Sequence, residues 1–186
     1  MIVISILYTA IVISFIWARY RFFKVDAAVP KKGVAFNDLA VTIQILTTYY
    51  LMTFDPSQSR ELMYLACVLY MVGLSLFWWG IRTAKGLDFA SSNNVGSIVT
   101  TGPFKYVRHP FYVSYMLIWS GSTLLFNSLF LWITLLYLIA FYTLSARKEE
   151  AVIRSSVYSK EYEIYMKKVG MFLPRIKKWM PSSSET

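Results

Sequence analysis

The sequence predicts an all-α integral membrane protein with about five transmembrane helices in one compact membrane domain. First, 56% of the 186 residues are hydrophobic and only 16% are charged, whereas a soluble domain has roughly 25% charged residues. Second, the charges occur in short groups that separate four uncharged runs, at residues 2–18, 39–54, 62–81 and 111–146. A bilayer core about 30 Å thick needs about 20 helical residues, which these runs provide.

The first two runs each predict one membrane helix. Helix one covers residues 1–17 and ends before Arg19 and Arg21. No basic segment precedes this run and no small-residue cleavage site follows it, so we predict a retained helix and not a signal peptide. Asp38 is the predicted N-cap of helix two, which covers residues 39–54.

The connections around helix two are short and polar. Residues 26–37 form a predicted connector that contains Pro30 and Gly33. Residues 55–59 form a predicted turn before helix three, which covers residues 60–81. Because the turn is so short, we expect helices two and three to be antiparallel neighbours. Residues 1–81 therefore make up the three helices of the amino-terminal part.

The last uncharged run contains 36 residues, too many for one membrane helix. We predict a helical hairpin, helices four and five, that folds back within residues 121–128 with Asn127 at the tip. Pro110 is suited to the first turn of helix four. Helix five is expected to continue beyond the membrane and to carry Glu149 and Glu150.

A short amphipathic helix is predicted near the carboxyl end. Tyr162, Tyr165, Met166 and Val169 recur at the spacing of one helical face. Gly170 is a suitable C-cap for this helix. The helix is expected to lie on the membrane surface or to cover the loop before helix four.

The positive charges predict the orientation. With five crossings, 18 of the 19 Lys and Arg residues fall on one side and only Arg60 lies opposite. Because basic residues collect in the cytoplasm, the amino terminus is expected outside and the carboxyl terminus inside. The single cysteine and the short length favour a prokaryotic inner membrane. The net charge of +9 is explained by this topology and by attraction to anionic lipids. It therefore does not indicate a nucleic-acid partner.

Two residue types exclude other kinds of site. Cys67 is the single cysteine and His109 the single histidine. A disulfide framework is therefore impossible within the chain, and a structural zinc site lacks ligands. No metal is expected.

A long loop precedes helix four, at residues 82–109. It contains residues that tolerate unusual backbone angles: Gly86, Asn93, Asn94, Gly96 and Gly102. A loop of this length in a small protein favours a functional role over a plain cytoplasmic linker, which is the alternative.

Opposite charges flank the hairpin. Arg108 and His109 lie at the start of helix four, where the helix dipole and free N–H groups attract anions. The alternatives are a helix cap or a plain surface position for His109, and a lipid headgroup as the partner of Arg108. Glu149 and Glu150 need partners this close to hydrocarbon. Those partners are either basic residues of the same helix (Arg147, Lys148 or Arg154) or a ligand ammonium.

Several motifs together resemble a known family. They are Gly102-Pro103-Phe104, Arg108-His109-Pro110 with Tyr112, the apolar hairpin, Glu149-Glu150, Glu161-Tyr162 with Tyr165, Val169 and Pro174. Their order and spacing resemble the carboxyl-terminal half of the isoprenylcysteine carboxyl methyltransferases. The related phospholipid N-methyltransferases share the hairpin and the paired glutamates. The resemblance covers roughly residues 95–175.

The resemblance implies an integral membrane methyltransferase that uses S-adenosylmethionine and releases S-adenosylhomocysteine. Residues 82–186 would hold the cofactor-binding loop, the transmembrane hairpin and a cytoplasmic segment. The implied cofactor-binding residues are Val99, Thr100, Gly102, Pro103, Tyr106, His109 and Tyr112, with Glu149 and Glu150 on the α-ammonium. Arg108 is implied as the catalytic residue near the acceptor.

Two departures from the family pattern stand out. Val157-Tyr158 occupies the place where Phe-Gly often precedes the Glu-Tyr motif. Phe104 replaces a frequent Tyr, and no Gly-x-Gly precedes it. The second departure argues against a close phospholipid N-methyltransferase.

The expected acceptor is lipophilic, such as a prenylated molecule, and reaches the site through the membrane lipid. A carboxylate acceptor is favoured because it is ionised at neutral pH, whereas an amine needs a base and only His109 is available. The alternatives are an aminophospholipid N-methyltransferase, a sterol-reductase-like enzyme that binds NADPH, and a non-enzymatic membrane scaffold. The oligomeric state stays open.

Overall fold

The computed structural model describes residues 1–23, 31–84 and 98–175. Within these ranges the chain is all-helical and contains no β-strand, as the sequence predicts. The described residues form six α-helices: α1 (Ile2–Arg21), α2 (Lys31–Phe54), α3 (Arg60–Thr83), α4 (Pro110–Phe126), α5 (Leu129–Arg154) and α6 (Ser159–Lys168). A 3-10 helix (Gly102–Lys105) precedes α4.

Three of the described helices are long and apolar enough to cross a membrane, namely α1, α3 and α5. The other two expected spans differ from them. Helix α2 has 24 residues but contains Gln44 and several threonines, and α4 has only 17 residues. The membrane character is therefore supported, while the count of five spans stays a prediction.

Helix α2 begins earlier than the sequence analysis placed it. It starts at Lys31, inside the expected connector, so Asp38 lies within the helix and the N-cap prediction was wrong. Instead, the Asp38 carboxylate accepts a hydrogen bond from Arg19 of α1 at 3.3 Å. The apolar pattern marks only the part of a helix that packs or meets lipid, whereas a helix backbone satisfies its own hydrogen bonds in water as well.

Helices α2 and α3 are not the neighbours that the short connection suggested. Helix α2 packs mainly against α5, and α3 packs mainly against α4 and α1. Tyr8 of α1 lies between them, with its ring 5.3 Å from that of Tyr49 and 5.5 Å from that of Tyr70. Because five extended residues reach up to about 17 Å, the connection at residues 55–59 leaves room for another helix.

Small residues bring α3 and α4 close together. A Cβ atom at Gly73 would lie 2.7 Å from the Ile118 side chain, and one at Gly121 would lie 2.8 Å from the Tyr70 ring. The Tyr70 and Ser122 hydroxyls are hydrogen-bonded at 2.7 Å. Close backbone approach and interhelical hydrogen bonds are typical of helix association in lipid.

A buried amide joins α2 to the hairpin. The Gln44 side chain donates to the Trp119 carbonyl and to the Thr123 hydroxyl, each at 3.3 Å, and accepts from Thr134. Since Gln44 is fully buried, these partners satisfy polar groups that would otherwise be costly to bury. The network fixes the position of α2 against α4 and α5.

The hairpin follows the prediction closely. Asn127 adopts a left-handed conformation with φ 47° and ends α4, and its N–H donates to the Thr123 carbonyl at 2.8 Å. Ser128 follows in an extended conformation before α5. Helix α5 then continues without a break to Arg154, so Glu149 and Glu150 lie on the same helix as the apolar run. Both predictions are confirmed.

The predicted apolar face of α6 is confirmed, because Tyr162, Tyr165 and Val169 are all buried. The C-cap prediction for Gly170 was wrong. The helix ends at Lys168 and Val169 is already extended, while Gly170 forms a parallel bridge with Val107. Pairing with the backbone before α4 competes successfully with a helix cap at this position.

The structure describes only part of the loop at residues 82–109, for which the sequence predicts a functional role. Residues 85–97, including Gly86, Asn93, Asn94 and Gly96, lie outside the described residues. The described end of the loop consists of residues 98–101 followed by the 3-10 helix.

Candidate active site

The charged residues that flank the hairpin meet at one end of the helix bundle. Arg108 and His109 directly precede α4, and Pro110 occupies its first turn. Glu149 and Glu150 lie near the end of α5. The hairpin turn at Asn127 brings the start of α4 beside the end of α5. The basic pair, Arg108 and His109, therefore comes into direct contact with the acidic pair, Glu149 and Glu150.

Glu150 is buried with two cationic partners. The Nε atom of Arg108 donates to Oε1 of Glu150 at 2.8 Å, and the exposed fractions of the two side chains are 6% and 8%. Nε2 of His109 lies 3.0 Å from the same oxygen. We call Arg108 and Glu150 the buried half of the site.

These partners differ from one alternative that the sequence left open, in which Glu150 pairs with basic residues of its own helix. Glu150 is engaged by Arg108 and His109 instead. Arg147, Lys148 and Arg154 are exposed, whereas Glu150 faces α4 and the carboxyl-terminal segment. The approach of α4 therefore decides the pairing.

Arg108 is also tied to the segment after α6. Its Nη1 atom donates to the Val169 carbonyl at 2.5 Å and lies 3.5 Å from the Met166 carbonyl. An arginine offers five N–H donors in a planar fork, and here at least two nitrogens serve protein groups. Arg108 therefore holds the end of α6 against the end of α5.

Glu149 has a different environment. The Tyr112 hydroxyl donates to Oε1 of Glu149 at 2.5 Å, and Nδ1 of His109 lies 3.4 Å from Oε2. The Glu149 side chain is 37% exposed, so it remains accessible from outside. The Tyr112 ring stacks on Tyr142 with centroids 5.3 Å apart. We call Tyr112 and Glu149 the open half of the site.

His109 lies between the two halves. Burial alone lowers the pKa of His109, but the hydrogen bonds and negative charges of Glu149 and Glu150 outweigh burial and raise this pKa above the usual 6.5. The ring also stacks against Tyr112 at 5.7 Å and meets the edge of Phe172 at 6.1 Å. The two carboxylates therefore favour the protonated, charged form of the His109 ring.

The carboxyl-terminal segment forms a wall of the site. The Arg108 N–H donates to the Gly170 carbonyl at 2.9 Å, and the His109 N–H donates to the Met171 carbonyl at 3.2 Å. The Tyr165 hydroxyl donates to the Phe104 carbonyl at 2.5 Å. Sequence reasoning missed these backbone partners. The one available signal was the apolar face of α6, which shows that the helix packs but not on what.

The structure gathers five of the ten predicted site residues: Arg108, His109, Tyr112, Glu149 and Glu150. The other five belong to the loop before them. Val99 packs beside the aromatic cluster that contains Phe77 and Phe111.

Of the remaining loop residues, Thr100 is exposed and Pro103 is buried. Gly102 has φ +56°, and a side chain there would collide with Thr83. Tyr106 is 53% exposed, and its ring contacts Trp79 at 6.0 Å. No described contact joins these four residues to the charged cluster.

The arrangement therefore combines an accessible carboxylate, stacked aromatic faces and a fixed cationic group. A carboxylate beside aromatic rings suits a cationic ligand. Methyl donors of the sulfonium class are cations of this kind.

Comparison with known families supports this chemistry. A model of the phospholipid methyltransferase family matches residues 62–161, more than half of the chain, from α3 to the start of α6. No curated protein matches the chain. The matched range includes Phe104, so the departure there does not exclude membership of the wider family. The chain therefore belongs to the phospholipid methyltransferase family, a family of membrane methyltransferases.

Proposed function

We propose that the protein transfers a methyl group from S-adenosylmethionine to a lipophilic acceptor at the membrane boundary. The observation that carries this proposal is the difference between the two glutamates. Glu150 is already neutralised by Arg108 at 2.8 Å, whereas Glu149 keeps a 37% exposed carboxylate beside aromatic rings. Glu149 is therefore available for a cationic ligand, and the family match makes methyl transfer the relevant chemistry.

The residues of the open half fit the donor's cationic groups. The Glu149 carboxylate suits the α-ammonium, and the face of Tyr112 suits the sulfonium by cation–π attraction. Backbone N–H groups near residues 98–101 are candidates for the remaining polar contacts. The donor, when bound, supplies an electrophilic methyl group.

The chain's own residues contribute to the reaction by holding the reactants in position. Tyr112 is fixed by its hydrogen bond to Glu149 and by stacking on Tyr142. Glu149 is oriented by Tyr112 and His109. Holding two reactants in line can supply a large part of the acceleration of a displacement. We therefore assign Arg108, which contacts protein groups on two sides, to positioning and not to direct contact with the acceptor.

The state of His109 favours a carboxylate acceptor. Its raised pKa favours the charged ring, which has no free site for a proton, and this disfavours His109 as the base that a protonated amine needs. A carboxylate is a nucleophile without deprotonation. We therefore favour a lipophilic carboxylate, of the isoprenylcysteine type, as acceptor.

An aminophospholipid is the second candidate. The matched family is described by phospholipid methylation, and Glu149 is the accessible group nearest to acting as a base. The family match also favours methyl transfer over an NADPH-dependent reaction. A scaffold role leaves the accessible carboxylate without a purpose.

A transfer assay distinguishes these functions. The purified protein is incubated with methyl-labelled S-adenosylmethionine and a membrane lipid extract, and labelled lipid is isolated. Label released by mild base identifies a methyl ester, and label retained identifies a methylated amine. Transfer that is lost in Glu149→Gln and kept in the exposed control Glu163→Gln supports the proposal. No labelled lipid with the parent protein contradicts it.

We further propose five spans, with α2 and α4 crossing beside α1, α3 and α5, and the site on the cytoplasmic side. Cys67 is the single cysteine, so Cys67→Ser provides a cysteine-free background. Two separate variants are then made in this background. Ser57→Cys places an exposed thiol at one end of the bundle, and Val157→Cys places one at the other end. Labelling of intact cells by an impermeant reagent is expected for Ser57→Cys only. Labelling of Val157→Cys contradicts the orientation.

A further inference from the structure

An ion pair joins α1 to α2 outside the range that the family match covers. Nη2 of Arg19 lies 3.3 Å from Oδ2 of Asp38, and the two side chains are 40% and 51% exposed. Ring contacts place this pair at the site's end of the bundle, since Phe22 and Phe23, just after it, lie 6.0 and 5.2 Å from Phe111 of α4. A half-exposed pair contributes little stability, so a ligand can replace one partner easily.

A row of packed aromatic rings connects this pair to the open half of the site. Phe15, one helical turn before Arg19, contacts Tyr115 edge to face at 4.8 Å. Tyr115 lies 6.4 Å from Tyr112 and 5.6 Å from Tyr142, ring to ring. Arg19 and the open half are therefore linked through two intervening rings, those of Phe15 and Tyr115, at the same end of the bundle.

We propose that Arg19 binds the anionic group of the lipophilic acceptor's headgroup, with Asp38 as its partner until the acceptor arrives. The anionic group is a phosphate or a carboxylate, both of which match the planar guanidinium fork. Arg19 lies in the last turn of the apolar helix α1, where the headgroup of a lipid is expected. This inference rests on the proposed function, because it assigns the acceptor side of the same site.

Arg21 offers a matched comparison. It lies two residues further along α1, carries the same charge and is exposed. Arg19, in contrast, is partly buried and has a partner on α2. If basic residues attract lipid only in general, substitution of Arg19 or of Arg21 should weaken lipid binding to a similar extent. If Arg19 forms a headgroup site, its substitution should weaken lipid binding more.

The test measures lipid binding to the full chain in detergent micelles by native mass spectrometry, with no methyl donor present. The ligands are phosphatidylethanolamine, S-farnesylcysteine and uncharged diacylglycerol. In Arg19→Gln we expect about tenfold weaker binding of at least one of the two ligands that carry an anionic group, phosphatidylethanolamine and S-farnesylcysteine, with diacylglycerol unchanged. In Arg21→Gln all three ligands should bind within about twofold of the parent. Asp38→Asn removes the competing carboxylate, so the two ligands with an anionic group should bind as well or better.

The pattern of losses identifies the anion. A loss confined to phosphatidylethanolamine assigns a phosphate, and one confined to S-farnesylcysteine assigns a carboxylate. Equal effects of Arg19→Gln and Arg21→Gln, or an equal loss of diacylglycerol, overturn the inference. The lipid-binding measurement is independent of the transfer assay. If the protein transfers no methyl group, the binding measurement still tests whether Arg19 holds a headgroup. If Arg19→Gln does not change lipid binding, the transfer assay still tests the proposed function.

Discussion

Glu149 and Glu150 are adjacent on one helix but belong to different halves of the site. Glu150 is 8% exposed and shares an oxygen between Arg108 and His109. Glu149 is 37% exposed and is held by the neutral Tyr112 hydroxyl and the edge of His109. The difference arises because successive helical residues point about 100° apart, so one carboxylate faces α4 and the carboxyl-terminal segment while the other faces outward.

The comparison indicates that the two carboxylates have separate roles. Removing one partner of a buried ion pair leaves an uncompensated charge in a poorly solvated place. Removing an accessible carboxylate has little effect on folding because water replaces its partner. Substitutions in the buried half should therefore alter the free energy of unfolding, and substitutions in the open half should alter ligand binding.

The largest effect is expected for Arg108→Ala. Glu150 would lose its 2.8 Å partner, and the Val169 carbonyl would lose its donor. Breaking a buried pair costs about 3–5 kcal/mol in unfolding free energy, measured by denaturant unfolding of the protein in detergent. Arg154→Ala removes an exposed charge from the same region and should change that free energy by less than about 0.5 kcal/mol. Similar losses in the two variants would show that the buried half is not a stabilising contact.

A smaller effect, of a different kind, is expected for Glu149→Gln. The substitution keeps the size of the side chain but removes the charge proposed to contact the donor's ammonium. Calorimetric titration should give about tenfold weaker binding of S-adenosylmethionine, which corresponds to about 1.4 kcal/mol.

The controls for this variant separate binding from folding. The unfolding free energy of Glu149→Gln should stay near that of the parent, whereas Glu150→Gln should lower it. Glu163→Gln, an exposed change on α6, should leave both measurements unchanged. If Glu149→Gln binds the donor as the parent does, the open half is not the ammonium site.

The sequence predicts the hairpin well because its signals are local. A run of 36 uncharged residues requires two helices, and an asparagine tolerates the left-handed angle at the tip. The same locality explains why Glu149 and Glu150 were placed near Arg108 and His109. Once the hairpin closes, its two ends must meet.

The sequence could not predict features that depend on contacts distant in the chain. Nothing near Asp38 indicates that its partner is Arg19, and nothing near Gly170 indicates that its backbone pairs with Val107. The packing of α2 on α5 depends on the Gln44 network, which joins residues from three helices. Periodicity identifies a buried face, but which surface covers it depends on the whole fold.

The wall formed by the carboxyl-terminal segment gives a third prediction. In Tyr165→Phe the hydroxyl that donates to the Phe104 carbonyl at 2.5 Å is removed, while the buried ring remains. We expect a loss of about 1 kcal/mol in unfolding free energy, with faster hydrogen exchange in residues 159–171. Tyr64→Phe, which alters a tyrosine that is 71% exposed, is the control. Unchanged exchange in Tyr165→Phe would mean that this hydrogen bond does not hold α6 in place.

The smallest effect is expected from the titration of His109, the residue between the two halves. Its pKa in the folded chain is raised above 6.5, so the folded state binds the proton more tightly than the unfolded state does. The resulting stabilisation is fully present below about pH 6.5 and is lost as the pH rises through the folded pKa. The unfolding free energy should therefore decline as the pH rises above about 6.5.

His109→Gln should remove this decline while leaving the slopes outside that range unchanged. Because the chain has a single histidine, its ring resonances report the folded pKa directly by NMR. Glu149→Gln should lower that pKa, since one of the two carboxylates that raise it is lost. A pKa at or below 6.5 in the parent would show that burial outweighs both carboxylates. His109 would then be neutral at physiological pH and available as a base, which would shift the balance toward an amine acceptor.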